Sequence, residues 1–183
     1  NGIAAGHRIV KDLSLGGDRE LLTERMGEEM ARLHHIQPPN PNLAFLPMPE
    51  LSPALQGIQG FRQFLDNHHT PFPALEWGIR WLELHAPTTT ELVLAHRDWR
   101  TGNYMVDEHS LTAILDWEFA GWSDRLEDVG WFCARCWRFG QFNHEAGGIG
   151  SRTALYRGYE RIYGQPLAWQ NVYYWEVYAH VRW

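Results

Sequence analysis

The stretch HRDWRTGN, residues 96–103, and the triplet DWE, residues 116–118, decide the fold of this chain. Asp98 and Asn103 lie on a loop between two predicted strands, and Asp116 lies at the far end of a hairpin that begins at Asn103. Because a two-stranded hairpin folds its ends together, Asn103 and Asp116 become neighbours. An amide oxygen beside a carboxylate suits Mg²⁺, which shares its coordination shell with phosphates and water. Asp98 is left free to accept a proton.

Short apolar runs around this stretch predict strands, and longer periodic runs on either side predict helices. The predicted strands are 92–95, 103–106 and 111–115, with a turn at 107–110. The predicted helices are 18–36, 54–67, 74–85, 123–139, 151–163 and a last one opened by Pro166. A mostly helical domain therefore carries one small β insertion, which holds the polar residues with the most chemical meaning.

The length of the chain fits one domain, and its charge and hydrophobicity pattern argue against nucleic-acid and membrane partners. The chain has 183 residues, of which 44% are hydrophobic, enough for one core but too few for two full-sized domains. The formal net charge is −6 and no basic run is present, so a nucleic-acid partner is not expected. No apolar stretch approaches the roughly 18 residues of a transmembrane helix, so no membrane partner is expected either.

The two cysteines, Cys133 and Cys136, form a C-x-x-C motif. A structural zinc site needs four ligands, and no second cysteine pair exists to complete one. The surrounding segment is typical of a helix rather than of a strand-to-helix redox junction. Without a disulfide framework or a signal peptide, a reducing cytoplasm is the expected compartment.

The H-R-D-x-x-x-x-N pattern, followed by a carboxylate that closes the next hairpin, resembles the catalytic segment of the protein-kinase-like fold. The segment 114–118, Ile-Leu-Asp-Trp-Glu, is closer to the Ile-Asp-Trp type of aminoglycoside phosphotransferases and their relatives. Those relatives include choline-type kinases and the phosphotransferase domains associated with acyl-CoA dehydrogenases. The segment 124–131 also resembles that group's Asp-Pro-x-x-Asp-Leu-Ala-Trp. The chain departs from the group with Arg97, where Gly is usual, and Arg125, where Pro is common.

This resemblance implies a role for each matching residue within the catalytic segment 92–131. Asp98 would orient and deprotonate the acceptor hydroxyl, and Asn103 with Asp116 would hold Mg²⁺ against the phosphates of ATP. Three further residues would support this site: His96 by bracing the loop, Asp128 by accepting backbone hydrogen bonds from it, and Arg100.

The resemblance also implies a fold class, namely an α+β, mainly helical C-terminal lobe of the protein-kinase-like fold spanning residues 1–183. The expected β-hairpin insertion carries the catalytic loop. Both ends of the chain resemble cuts in a longer protein. The small N-terminal lobe has no counterpart, and the only lysine, Lys11, has no strand context. The residues that clamp ATP are therefore unknown, and the isolated chain is expected to be inactive.

Two functions of different classes follow from this reading. The first is an ATP- and Mg²⁺-dependent phosphotransferase, a kinase that acts on a hydroxyl group of a small molecule. Aminoglycosides, amino-alcohols, sugars and hydroxyacyl thioesters all remain open as acceptors, and so does the oligomeric state. The alternative is a non-catalytic kinase-like module that binds a ligand or partner without transfer. Retention of Asp98, Asn103 and Asp116 together favours the enzyme, since a degenerate lobe has no need of all three.

Overall fold

The computed structural model describes residues 2–89 and 91–183, in which helices pack around two small antiparallel sheets. The α-helices are α1 (Gly6–Lys11), α2 (Arg19–His34), α3 (Pro53–Asp66), α4 (Pro73–Leu84), α5 (Arg125–Cys133), α6 (Arg152–Tyr163) and α7 (Trp169–Arg182). The strands are β1 (Val93–Ala95), β2 (Tyr104–Val106), β3 (Leu111–Ile114) and β4 (Gly121–Ser123). The α+β, mainly helical fold class predicted from the sequence is confirmed. Among the described residues, no helix combines the length and the apolarity that crossing a membrane requires.

Helix α2 contributes several of its buried side chains to the larger hydrophobic core. It begins after Asp18, whose carboxylate accepts a hydrogen bond from the backbone N–H of Leu21 at 2.9 Å and so caps the first turn. Its buried apolar side chains recur at the helical period, and Met26 and Met30 are fully buried. Arg19 ties the preceding segment to the helix by donating to the backbone carbonyl of Asp12 at 2.7 Å.

Helices α2 and α6 approach each other at two glycines. A Cβ atom placed on Gly158 would lie 1.9 Å from the backbone oxygen of Glu24, and one on Gly27 would lie 2.2 Å from the backbone oxygen of Leu155. These distances are far below van der Waals contact, so only glycine allows the two backbones to pack this closely. The close approach sets the position of α6 against the core.

We therefore expect Gly158→Ala to lower the free energy of unfolding by about 2–3 kcal/mol, because the backbone of α2 cannot yield to the added methyl group. Urea denaturation of the purified chain measures this change. Gly60→Ala in α3 is the matched control, since nothing lies within 4 Å of its Cβ position, and it should gain up to about 1 kcal/mol. Equal stability of the two variants would contradict the close contact.

The hairpin of β2 and β3 is the one predicted from the sequence. Tyr104 pairs with Ile114 and Met105 with Ala113 in an antiparallel register. The carboxylate of Asp107 closes the turn by accepting hydrogen bonds from the backbone N–H groups at positions 109 and 110, at 2.8 and 2.9 Å. The predicted turn at 107–110 is therefore confirmed.

The sequence did not predict β4, which pairs antiparallel with β1 through Val93 opposite Ser123 and Ala95 opposite Gly121. Three residues with one glycine give too weak a local signal for a strand. The pairing has a consequence for the site, because it brings the start of α5 next to the catalytic loop that leaves β1. Helix α1 was likewise not predicted from the sequence.

The prediction that α5 continues to Phe139 was wrong. The helix ends at Cys133 because Ala134 adopts an extended backbone with ψ of 140°, and a 3-10 turn then spans Arg135–Trp137. The guanidinium of Arg138 donates to the freed carbonyl of Cys133 at 2.7 Å. A side chain from beyond the helix thus satisfies the helix end. The last helix likewise begins later than predicted, at position 169.

Candidate active site

The catalytic loop that follows β1 is anchored on the carboxylate of Asp128, which lies in α5 and is fully buried. Its Oδ1 accepts a hydrogen bond from the backbone N–H of Arg97 at 2.6 Å, and its Oδ2 accepts one from the backbone N–H of His96 at 2.7 Å. Burial alone raises the pKa of Asp128. The hydrogen bond from His34 and the electrostatic interactions with His34 and His96 outweigh burial, so this pKa lies below its ordinary value of 3.8.

His34, at the end of α2, completes this anchor and was missed from the sequence. Its Nε2 donates to Oδ2 of Asp128 at 3.1 Å, and its Nδ1 lies 2.9 Å from the hydroxyl of Tyr159 in α6. A histidine at a helix end is typical of a residue that caps the helix, so the local sequence gave no sign of this contact. The buried chain Tyr159–His34–Asp128 links α2, α5 and α6 behind the catalytic loop.

His96 connects the catalytic loop to the end of the hairpin. Its Nε2 donates to the backbone oxygen of Leu115 at 2.8 Å, while the backbone N–H of Asp98 points at its Nδ1 from 3.3 Å. Because a carbonyl only accepts, this pair of contacts assigns the proton to Nε2. The ring is fully buried. His96 therefore holds the residue before Asp116 against the loop that carries Asp98.

The carboxylate of Asp98 is buried and held on both of its oxygens. Oδ2 accepts from the Nδ2 of Asn103 at 2.5 Å and from the Nε of Arg100 at 3.3 Å. Oδ1 accepts from the indole N–H of Trp131 at 3.0 Å. The structure thus brings Asp98, Arg100 and Asn103 together, and it adds Trp131 to the site.

Asn103 and Leu115, the residue before Asp116, pair across the base of the hairpin. The backbone N–H of Leu115 donates to the backbone oxygen of Asn103 at 2.8 Å, which places Asp116 at the next position. The Nδ2 of Asn103 is directed at two acceptors, the carboxylate and, at 3.0 Å, the backbone oxygen of Asp98. Its amide oxygen therefore faces away from Asp98. Asp116 is exposed and adopts a left-handed backbone with φ of 65°.

Amide and carboxylate oxygens are the kind of ligand that Mg²⁺ takes in phosphoryl-transfer sites. Such an ion takes one or two protein ligands and completes its octahedron with phosphate oxygens and water. Among the described residues, no group of three or more His, Cys, Asp or Glu side chains is arranged to hold a metal ion. An amide with a single carboxylate is consistent with an ion that the protein shares with its substrate.

Arg97 occupies a position where the related enzymes usually have glycine, and its backbone conformation is one that favours glycine. Its backbone has φ of 65°, in the left-handed region where glycine is favoured. Its guanidinium lies 3.4 Å from the buried carboxylate of Glu127, which raises the pKa of Arg97. A left-handed backbone at a residue other than glycine costs roughly 1–3 kcal/mol.

Three comparisons with known proteins bear on this site. The profile of the phosphotransferase enzyme family, APH, matches residues 10–167. Acyl-CoA dehydrogenase family member 10 of Mus musculus is 29% identical over 133 residues, which cover 68% of this chain and 12% of that protein.

Solved structures show the same fold at lower identity. A macrolide 2'-phosphotransferase of type I superposes with a TM-score of 0.67 at 19% identity, over 90% of this chain and 52% of its own. A choline/ethanolamine kinase family protein from Mesorhizobium loti superposes with a TM-score of 0.59 at 17% identity, over 100% of this chain and 55% of its own. The chain spans about half the length of these solved relatives. Because the family profile matches residues 10–167, which are most of the chain, the chain belongs to the phosphotransferase enzyme family.

Proposed function

We propose that this chain is the C-terminal, catalytic lobe of an ATP-dependent phosphotransferase that transfers the γ-phosphoryl group to a hydroxyl of a small molecule. One observation carries the proposal. The amide of Asn103 bridges the backbone oxygen and the carboxylate of Asp98, and Leu115, the residue before Asp116, donates its backbone N–H to the backbone oxygen of Asn103. A proton acceptor and two metal-ligating oxygens are the groups that such a lobe must supply.

In this reaction Asp98 accepts the proton of the acceptor hydroxyl. The hydroxyl oxygen attacks the γ-phosphorus of ATP, the bond from that phosphorus to the β-phosphate oxygen breaks, and ADP leaves. Hydrogen bonds on both carboxylate oxygens hold the group in one orientation, so little reorganisation is needed. Asn103 and Asp116 would hold Mg²⁺, which supplies charge neutralisation on the phosphates when it is bound. Asp128, His34 and His96 hold in place the loop that carries Asp98.

The proposed lobe covers residues 1–183, and its catalytic segment is 92–131. In the solved relatives about half of the chain lies outside the superposed region. We infer that the remaining contacts to ATP come from a part of the protein that this chain does not contain. The chain alone is then expected to be inactive, because positioning of the phosphates supplies several kcal/mol of the rate enhancement. A cytoplasmic location accords with such a reaction, since ATP is its donor.

The acceptor class is open to direct measurement. The protein that contains this chain is incubated with Mg·ATP and a panel of hydroxyl compounds: kanamycin, erythromycin, choline, glucose and 3-hydroxybutyryl-CoA. The expected result is ADP release and a phosphorylated product with at least one class. Binding of a panel compound without ADP release would instead favour the non-catalytic module.

Asp116→Asn tests the metal site. We expect the variant to need at least about ten times more Mg²⁺ for half-maximal turnover, because a neutral amide oxygen replaces a carboxylate ligand. The fold should persist, since Asp116 is exposed and asparagine tolerates its left-handed backbone.

Glu118→Gln is the matched control, because it neutralises an exposed carboxylate two residues away. Its Mg²⁺ dependence should equal that of the wild type. A normal Mg²⁺ requirement in Asp116→Asn would remove Asp116 from the metal site.

A further inference from the structure

Trp131 makes a contact to which the resemblance assigns no role. It lies in the last turn of α5, is 3% exposed, and directs its indole N–H at Oδ1 of Asp98 from 3.0 Å. The contact joins residues 33 positions apart in the chain. The ring is fixed by neighbours on two sides. The guanidinium carbon of Arg182 lies 4.9 Å from its centroid, and the ring of Trp137 lies 5.7 Å away.

Burial of the indole does not by itself require this hydrogen bond. Three other buried indole nitrogens, those of Trp99, Trp137 and Trp175, have no hydrogen-bond acceptor among the described residues. This core therefore tolerates unsatisfied indole N–H groups. The placement of the Trp131 N–H on a carboxylate oxygen is a specific feature of this site.

The hydrogen bonds to Asp98 divide unevenly between its two oxygens. Asn103 and Arg100 both hold Oδ2, and Trp131 is the residue that holds Oδ1. Without the indole, the carboxylate would be pinned at one oxygen and could rotate about its Cβ–Cγ bond. With it, the plane of the carboxylate is fixed. A carboxylate oxygen has about two lone-pair directions, so Oδ1 retains one for the acceptor hydroxyl.

We propose that Trp131 is the positioning residue of this active site, which holds Oδ1 of Asp98 so that the carboxylate plane faces the acceptor hydroxyl. The inference rests on the proposed function of Asp98 as the proton acceptor. It concerns orientation, so its signature is a loss of turnover without a loss of substrate affinity. A misplacement of a catalytic group by about 1 Å can lower the rate as much as 100-fold.

The variant Trp131→Phe removes the N–H and retains an aromatic ring. In the protein that contains this chain, we expect kcat with Mg·ATP to fall about tenfold or more, with KM for ATP and for the acceptor unchanged. The acceptor is whichever of kanamycin, erythromycin, choline, glucose and 3-hydroxybutyryl-CoA the wild type phosphorylates. Trp175→Phe is the matched control, because it removes the same atoms from a fully buried indole whose nitrogen has no acceptor in the described part of the chain. Its kcat should stay within a factor of two of the wild type.

A second measurement needs no turnover. The indole N–H resonances of the ten tryptophans are recorded on the ¹⁵N-labelled chain, and the Trp131 signal is identified by its absence in Trp131→Phe. We expect Asp98→Asn to move this signal upfield, because an amide is a weaker acceptor than a carboxylate. The Trp175 signal should not move.

The outcomes separate the inference from the proposed function. The inference is overturned if the Trp131 indole resonance has the same position in Asp98→Asn as in the wild type. It is also overturned if the wild type is active and Trp131→Phe has the same kcat. A tenfold loss of kcat in Trp131→Phe with the control unaffected supports it. If the wild type turns over none of the compounds, that result counts against the proposed function. The position of the Trp131 resonance then decides by itself whether the contact between Trp131 and Asp98 exists.

Discussion

Asp98→Asn is expected to lower kcat at least about 100-fold in the protein that contains this chain, the usual range for loss of a general base. An amide cannot accept the proton of the acceptor hydroxyl. The substitution is nearly isosteric, and the amide oxygen can still accept from Trp131 or Asn103. The chain should therefore remain folded, so the effect reports chemistry.

Steady-state kinetics with Mg·ATP measures this loss, and thermal unfolding checks the fold. Asp66→Asn at the end of α3 is the matched control, because it makes the same chemical change at an exposed carboxylate. Its kcat should equal that of the wild type. Turnover of Asp98→Asn within a factor of two of the wild type would show that another group accepts the proton.

Asp128→Ala is expected to destabilise the chain by about 3–5 kcal/mol, the range measured when one partner is removed from a buried polar or ionic pair. The substitution leaves the backbone N–H groups of His96 and Arg97 and the Nε2 of His34 buried without an acceptor. This is a large share of the 5–15 kcal/mol that stabilises a typical domain.

Urea denaturation at pH 7 measures the free energy of unfolding. Asp66→Ala is the control and should stay within about 0.5 kcal/mol of the wild type, because its carboxylate is exposed. If Asp128→Ala does not fold, Asp128→Asn keeps the volume and one acceptor, and should lose about half as much. An Asp128→Asn variant as stable as the wild type would mean that the carboxylate does not anchor the loop.

The carboxylate of Asp128 also makes the stability of the folded chain depend on pH in a predictable direction. The pKa of Asp128 is lower in the folded chain than its ordinary value of 3.8, so the folded state binds this proton less readily than the unfolded state. The stabilisation is therefore fully present above about pH 4 to 5 and is lost as the pH falls through the folded pKa. The stability difference between the wild type and Asp128→Asn should shrink over that range. A constant difference would contradict the lowered pKa.

Local chemistry was sufficient to predict the hairpin and the residues that it brings together. Two short apolar runs and an aspartate in the turn between them specify β2 and β3 over a dozen positions. Strand pairing across so short a loop leaves little freedom for Asn103 and Asp116 to separate. For the same reason, the helices with strong caps and periodicity lie within a few residues of their predicted bounds, as with Asp18 before α2.

Contacts between distant segments could not be predicted, because nothing in a local window shows which side chains will meet. The bond from Trp131 to Asp98 spans 33 positions and that from His34 to Asp128 spans 94. Each depends on how α2, α5 and the loop after β1 pack together.

The sequence by itself therefore determined the fold class, the hairpin and the residue types at its base. Short-range backbone pairing and hydrophobic periodicity act within a few residues of each other, so a linear reading captures them. The tertiary structure alone decided that α5 ends at Cys133, that β4 pairs with β1, and that an indole and a buried histidine complete the site. These features depend on how the helices and strands pack against one another. In that packing, buried polar groups form hydrogen bonds with partners that lie far away in the chain.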